Sequence, residues 1–196
     1  QPVRDELAFQ KAAALKQAAI DAEFACLQGS YVAQNLASTV AKTRGIIEAC
    51  TTNTVAGGSA KLTKAMIQEL LREMSANGAE FENMVLFCNA FQKQVMSDLY
   101  GYAPESRNVG GVNVNQIETD FCMLGVQWAP QMPTGTVLIA DMAKVSPVFC
   151  PYEGQIIADV ETAVTTAKKG GFLYMQFGLD YGPEEMHGTI TGLATA

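Results

Sequence analysis

Arg4-Asp5-Glu6-Leu7-Ala8-Phe9-Gln10-Lys11-Ala12-Ala13-Ala14-Leu15-Lys16-Gln17-Ala18-Ala19-Ile20-Asp21-Ala22-Glu23-Phe24-Ala25-Cys26-Leu27-Gln28, residues 4–28, reads as one uninterrupted helix. Alanine, the best helix former, recurs along it, and Leu7, Leu15, Ile20, Phe24 and Leu27 supply apolar bulk. Asp5 and Glu6 suit the positive end of the helix dipole, Pro2 fits just before or within the first turn, and Gly29 is a natural stop. A helix of that length spans about 37 Å. A compact globule of 196 residues has a radius of gyration of only about 16 Å. The helix is therefore expected to cross the whole body as a spine.

Beyond it, residues 30–61 are weakly patterned and loop-like, with Thr51-Thr52-Asn53-Thr54 and Ala56-Gly57-Gly58-Ser59. The glycine pair does not make a phosphate loop, because Lys61 follows Ala60 where that motif needs Gly-Lys-Ser/Thr. Residues 64–76 carry Ile67, Leu70, Leu71 and Met74 at helical spacing. Thr63 is their N-cap, Leu62 and Ile67 form a staple across it, and Asn77-Gly78 ends the helix. Met84–Cys88 is a short buried strand. Asn89, with Gln92 three residues on, caps a second helix running to about Tyr100, with Phe91, Val95 and Leu99 on one face and Gly101 as its stop. One strand between two helices must find its sheet partners elsewhere in the chain.

The remainder reads mostly as strand. Val112 and Val114 alternate with Asn113 and Asn115, and Leu124, Val126 and Trp128 alternate across 122–128. Thr136 to Ala140 is a continuous apolar run closed by Asp141. Residues 156–165 and 172–181 flank Lys168-Lys169-Gly170-Gly171 and predict a long hairpin, 156–181, with a glycine-rich tip. Arms of about ten residues reach about 33 Å, so the hairpin is expected to lean on the equally long first helix. Residues 188–193 supply a last short strand.

Composition narrows the functional classes. Charged residues make up 17% of the chain and apolar ones 48%, where an ordinary soluble domain carries about 25% charge. The chain can bury a core, is not a disordered tail, and is poor in the charge that covers a free surface. The net charge is −7 and falls mostly in the carboxyl half, so no surface is expected to grip nucleic acid; Lys168-Lys169 reads as an exposed turn. No apolar run of about 18 residues occurs, so no helical membrane span is expected. Cys26, Cys50, Cys88, Cys122 and Cys150 lack metal-ligand spacing and read as reduced small hydrophobes, in keeping with a cytoplasmic site of synthesis. Gln1 rather than Met stands first, as expected of a processed chain or part of a longer one.

Candidates for chemistry are few. His187 is the single histidine and has no Gly-x-Ser-x-Gly elbow to serve, so it reads as structural or surface. Glu118 with Asp120 and Asp159 with Glu161 share strand faces at i, i+2 and could hold a metal or form an acid/base pair, and Glu184 adjoins Glu185; solvated faces carry such pairs routinely. The nine methionines are dispersed and read as core filler and adaptable interface. The expected sets of catalytic, cofactor-binding and metal-binding residues are therefore all empty, and no enzyme is expected.

A spine helix, an α/β unit, a long two-stranded arm and a terminal strand, in that order, resemble the major capsid protein of tailed bacteriophages with the Hong Kong 97-type fold. Arg4 to Gln10, Asp21-Ala22-Glu23 and Leu27-Gln28-Gly29 are similar to that family's spine-helix region. Thr43-Arg44-Gly45-Ile46-Ile47 resembles the lead into its axial domain, and Glu118-Thr119-Asp120-Phe121 its Thr-Asp-Phe-Gly strand, with Cys122 in place of Gly. Asp141 stands where the family has its Asp, and Pro183 to Leu193 looks like its closing segment. The resemblance implies an α+β fold. Its peripheral domain is expected at 1–32 and 141–186, with spine helix 4–28 and hairpin 156–181, and its axial domain at 33–140 and 187–196. It implies a structural subunit that assembles with itself, as hexamers and pentamers, into an icosahedral head around DNA. Scaffold, portal or decoration proteins are expected partners, and assembly is expected in the bacterial host cytoplasm, with the virion capsid as destination. The family's amino-terminal arm and extended loop precede the spine helix and are expected to lie outside this sequence, so no cross-linking residue is carried over. Two other readings are an encapsulin-type nanocompartment shell and a small-ligand enzyme, the latter needing a deep pocket lined by groups such as Asp159 and Glu161.

Overall fold

The computed structural model describes residues 6–34, 39–100, 114–161 and 171–195. The expected features at Pro2, Arg4, Asp5, Gly101, Val112, Asn113, 162–165 and Lys168-Lys169-Gly170 lie outside these residues.

Local rules build the central lobe. Helix α3 (Lys64–Ala76) begins where the Thr63 hydroxyl accepts a hydrogen bond from the Met66 amide, and ends at Asn77 before Gly78, whose φ is 91°. Ile67, Leu70, Leu71 and Met74 are wholly buried, each contributing about 1.5–3 kcal/mol by leaving water. Strand β2 (Met84–Cys88) buries Met84, Leu86 and Cys88 on one face. The Asn89 side chain then accepts from the Gln92 amide at 2.9 Å and starts α4 (Ala90–Tyr100).

The other strands are β1 (Thr54–Ala56), β3 (Gln116–Glu118), β4 (Met123–Trp128), β5 (Val137–Asp141) and β10 (Gly188–Thr191). With β2 they form a six-stranded sheet in the order β1-β10-β5-β2-β4-β3. As expected, β2 finds its partners elsewhere in the chain: β4 lies parallel to it and β5 antiparallel. Strand β5 is buried at all five positions, because both faces of the sheet are covered there. Val137 and Ile139 face the core with α3 and α4, while Leu138 and Ala140 face Leu27, Ile46, Cys50, Ala129 and Met132.

The first helix, α1 (Glu6–Gln28), contributes only Leu27 to the buried set. At 23 residues it is about 34 Å long. Its outer length runs beside a two-stranded ribbon, tied to it by Lys11 and Asp159 at 2.5 Å.

The ribbon departs from the expected continuous hairpin. Its distal part pairs β7 (Ala158–Glu161) with β8 (Gly171–Tyr174) antiparallel, as a hairpin requires, with Gly171, expected in the tip, instead paired with Glu161. Its proximal part pairs β9 (Gln176–Asp180) not with the same arm but with β6 (Ser146–Cys150), a strand not anticipated. Between Cys150↔Gln176 and Ala158↔Tyr174, residues 151–157 stand opposite Met175 alone. They leave the ladder as a small excursion, turned by Glu153 and Gly154 at φ 49° and 81°, with Tyr152 and Gln155 exchanging backbone hydrogen bonds. Phe149 opposite Phe177, and Tyr152 edge-on to Tyr174 at 5.6 Å, hold the two halves in line.

Three further expectations are corrected. The segment read as loop contains α2 (Ile46–Ala49) as well as β1, both held by contacts distant in sequence. In α4 the innermost residues are Gln92 and Met96, with Val95 and Leu99 flanking them, so the buried face is turned about one residue from the Phe91-Val95-Leu99 line. The Gln92 amide is drawn inward by the carbonyls of Thr134 and Ala194, to which it donates at 3.3 and 2.8 Å. Val114 is buried but precedes β3 rather than lying within a strand.

Two glycines fix how the spine joins the lobe. The Gly45 amide donates to the Gly29 carbonyl at 2.7 Å, and a Cβ at Gly45 would stand 2.5 Å from the Gly29 nitrogen and 2.7 Å from the Leu27 carbonyl oxygen. Because those are backbone atoms, no side chain can move aside. Gly45→Ala is expected to cost about 1–3 kcal/mol, measured by urea unfolding. Gly125→Ala, whose Cβ meets ordinary contacts at 3.6 and 3.7 Å, is expected to change little.

Candidate functional site

The residues weighed for chemistry do not converge. Asp159 is engaged by Lys11, and the Glu161 side chain lies outside the described residues. The cleft beside them, about 550 Å³, is the open gap between α1 and the ribbon, lined by Leu7, Lys11, Ala14, Asp21, Phe172 and Leu173 among others. Glu118 and Asp120 are exposed beside the outermost strand. Among the described residues no three His, Cys, Asp or Glu side chains group as metal ligands, and no helix is long and apolar enough to cross a membrane. In the glycine pair, the Gly57 amide is spent on the Thr191 carbonyl, and the Ser59 amide on that of Gly192. These are the donors a phosphate would need.

What the polar residues do build is a seam where the chain passes between sheet and ribbon. Asp141, wholly buried, accepts from the amides of Glu82, Asn83 and Ala143 at 3.0–3.1 Å. A left-handed turn at Phe81 (φ 55°) aims the first two at it. His187, also wholly buried, accepts at Nδ1 from the Asp141 amide and meets the Tyr181 carbonyl at Nε2, 2.6 Å away. An amide can only donate and a carbonyl only accept, so the ring is neutral with its proton on Nε2. The buried Asn53 side chain donates to the carbonyls of Glu185 and His187 and accepts from Asn77. Glu184 accepts from the amides and hydroxyls of both Thr51 and Thr52. Desolvation opposes its charge, yet the hydrogen bonds from Thr52 and Thr51 outweigh it and lower the carboxyl to about 2. His187 and Glu184 thus prove structural. Asn53 and Asp141 were not weighed as such, although a polar run beside apolar strands is the signal that marks them.

The cysteines divide by burial. Burial pushes the Cys50 thiol up to about 12, with Glu184 adding to it, and the Cys88 thiol up to about 11 despite Lys93 nearby. Cys26 and Cys122 are half-buried, and Cys150 is exposed on β6.

The largest unsatisfied feature is apolar. On α1, Phe9, Ile20 and Phe24 share a face, since 11 residues are close to three turns and four close to one. That face is exposed, Phe9 to 61%, and lies half a turn from the half-buried line of Leu7, Ala18, Ala22 and Ala25. The ribbon exposes Val148, Phe149, Tyr152, Ile156, Ile157, Phe172 and Tyr174, and β6 is exposed at every position. The accessible surface is 12296 Å², roughly a third more than a compact monomer of this mass exposes. Large apolar side chains exposed in such number on two neighbouring elements mark contact with another macromolecule.

A family model described as SU10 major capsid protein matches residues 1–194. No curated protein sequence matches the chain. The fold is similar to a chain in the satellite phage P4 procapsid that includes the size determination (Sid) protein. The TM-score is 0.57 at 11% identity, over 98% of this chain and 69% of that one, a likeness of fold alone. A virus-like particle from Pyrococcus furiosus aligns over 74% of this chain and 57% of that one at 11% identity, with a TM-score of 0.42, too low to carry an argument.

The seam and the cysteines each give an expected outcome. Glu184, with an ordinary carboxyl value of 4.5 and a folded value of about 2, contributes stability that is complete above about pH 4.5 and is lost as the pH falls through about 2. Glu184→Gln is expected to lower the melting temperature at neutral pH and to flatten the acid limb, read by thermal unfolding across pH. A thiol reagent at neutral pH is expected to modify Cys150 first in the unassembled chain, and Cys50 and Cys88 only on unfolding, read by peptide mass spectrometry.

Proposed function

Because the chain belongs to the SU10 major capsid protein family, in which it serves as a shell subunit, we propose that its α+β fold is of the Hong Kong 97 type and that its copies close an icosahedral head around DNA. The peripheral domain of this reading comprises 1–32 and 141–186, and the axial domain 33–140 and 187–196. The ribbon beside α1 supports the first and the six-stranded sheet the second. In this reading the chain crosses between them near 32–33, 140–141 and 186–187, and the polar seam stitches the latter two crossings to residues 51–53 of the axial domain.

One observation carries the reading. A 23-residue helix with one buried residue, apolar on two opposite faces, lies against a ribbon that no further layer covers among the described residues. Each apolar face of a helix needs a layer against it; the ribbon supplies one, and the layer for the outer face has to come from neighbouring copies. The work of such a protein is assembly through many weak apolar contacts, with no bond made or broken, so it needs no catalytic set and is not an enzyme. Its partners are first of all itself, as hexamers and pentamers, and then scaffold, portal or decoration proteins. Assembly takes place in the bacterial host cytoplasm and the finished subunit resides in the virion capsid. The acidic balance of the chain, −7, suits a container that should not hold DNA tightly.

Electron microscopy of the full-length expressed protein is expected to show icosahedral shells, and small-angle scattering of the unassembled chain a radius of gyration clearly above about 16 Å. A compact sphere that never assembles would overturn the reading. Phe9→Asp with Ile20→Asp is expected to leave the unfolding free energy of the free chain within about 0.5 kcal/mol per site while abolishing shells.

A further inference from the structure

The turn Thr119–Cys122 follows β3, the free edge of the sheet, and is locked from within. The Thr119 hydroxyl donates to the Cys122 carbonyl at 2.6 Å and accepts from the Cys122 amide at 3.1 Å, while the Thr119 amide donates to the same carbonyl at 3.0 Å. The turn therefore presents Asp120 and Phe121 as a rigid knob. Phe121 stacks on Phe81 through one face, 5.9 Å between centroids, and remains 42% exposed. Met123 beside it is 57% exposed, and Glu118 adds a second carboxylate. Among the described residues neither Glu118 nor Asp120 forms an ion pair, whereas Glu80 and Glu82 nearby are engaged by Lys144.

Elsewhere in the chain a groove of about 500 Å³ has the complementary character. It is lined by Tyr31, Lys42, Thr43, Arg44 and the β9 segment Gly178, Leu179 and Tyr181. Lys42 and Arg44 are exposed and, among the described residues, form no ion pair; the Arg44 guanidinium lies over the Tyr31 ring at 5.1 Å. Glu48, the carboxylate close by, already accepts from the Tyr31 amide at 2.7 Å. The floor is held by the Thr43 hydroxyl donating to the Phe177 carbonyl. At Gly178 a Cβ would meet nothing within 4 Å, so the groove is open there. No hydrogen bond or ion pair joins knob and groove within one copy among the described residues.

We infer that the Thr119–Cys122 knob of one copy seats in the Tyr31–Lys42–Arg44 groove of the next, Asp120 and Glu118 meeting Lys42 and Arg44 and Phe121 covering the apolar floor. The inference rests on the shell-subunit reading and names one contact through which neighbours join. A knob meeting a groove is a head-to-tail contact, and such contacts close into rings when the rotation per copy divides the circle. The occupant is a second copy because the carboxylates of the knob and the cations of the groove, unpaired among the described residues, are complementary within a single sequence. Both halves are preformed, so little ordering is lost on contact.

The test is association of the full-length protein by sedimentation velocity, with circular dichroism melts to show that each variant folds. Asp120→Arg, and separately Lys42→Glu with Arg44→Glu, place like charges together, and each is expected to weaken association roughly tenfold or more. Mixing the two variants is expected to restore it, because the basic knob of one fits the acidic groove of the other. Gly178→Glu, whose Cβ meets nothing within 4 Å and whose carboxylate would occupy Lys42 and Arg44 from within the chain, is expected to weaken association likewise. Raising salt from about 0.15 M to about 1 M shortens the screening length from about 8 Å to about 3 Å and is expected to weaken the wild type more than the reversed variants. Variants that associate like wild type would overturn the contact and leave the shell-subunit reading intact. Reversals that weaken association but are not rescued by mixing would overturn the contact too. Shells lost in cells with association of the purified chain unchanged would assign the groove to another protein, again against the proposal. A wild-type chain that stays monomeric at every concentration would overturn both.

Discussion

A β-sheet or a helix with an apolar face must have a second layer against it, and this chain supplies that layer only once. The six-stranded sheet is covered on one side by α3 and α4 and on the other by α2 and the last turn of α1. Among the described residues no further element covers the outer face of α1 or the exposed side of the ribbon. Their apolar side chains face outward, and the accessible surface exceeds that of a compact monomer accordingly. The low charge content is the same fact seen in composition. Residues that would solvate a free surface are scarce because much of that surface is meant to lie against neighbours.

The lobe and ribbon still have to hold one orientation for many copies to fit one curvature. Apolar packing alone specifies orientation poorly, whereas buried hydrogen bonds do so sharply, since each one broken leaves an unpaired polar group. The seam of Asp141, His187, Asn53 and Glu184 has this character. Its members bond to backbone groups of the stretches 51–52, 141–143 and 181–187, so that one stretch cannot shift without unpairing another. A neutral histidine and an asparagine suit the buried part of the seam, where a charge would be costly. The anionic Glu184 sits at its wetter end, where four donors sustain it.

Much of the central lobe was legible because local and global signals agree there. Thr63, Asn89 and the Ile67-Leu70-Leu71-Met74 face behave as capping and periodicity require, and the run closed by Asp141 is buried end to end. Strand β6 escaped notice for a physical reason. Fully exposed and containing Pro147, it carries no alternation, and only its cross-strand partner β9 makes it a strand. The switch of partner along the ribbon turns on Glu153-Gly154, a left-handed pair without the asparagine or aspartate that usually signals such a turn. The rotation of α4 was hidden because its cause, the Thr134 and Ala194 carbonyls that take up the Gln92 amide, lies 42 and 102 residues away. The seam was legible only as a list of candidates. His187 and Glu184 stood out as titratable, but their partners are backbone atoms, which no side-chain pattern reports.

The central claim is that α1 and the ribbon reach their full stability only between copies. Hydrogen exchange, followed by mass spectrometry on the free and the assembled protein, addresses it most directly. Amides of α1 are predicted to exchange in the free chain far faster than those of α3, whose buried face is complete, and to slow by about a hundredfold or more on assembly. Equal protection of α1 and α3 in the free chain, unchanged on assembly, would contradict the account.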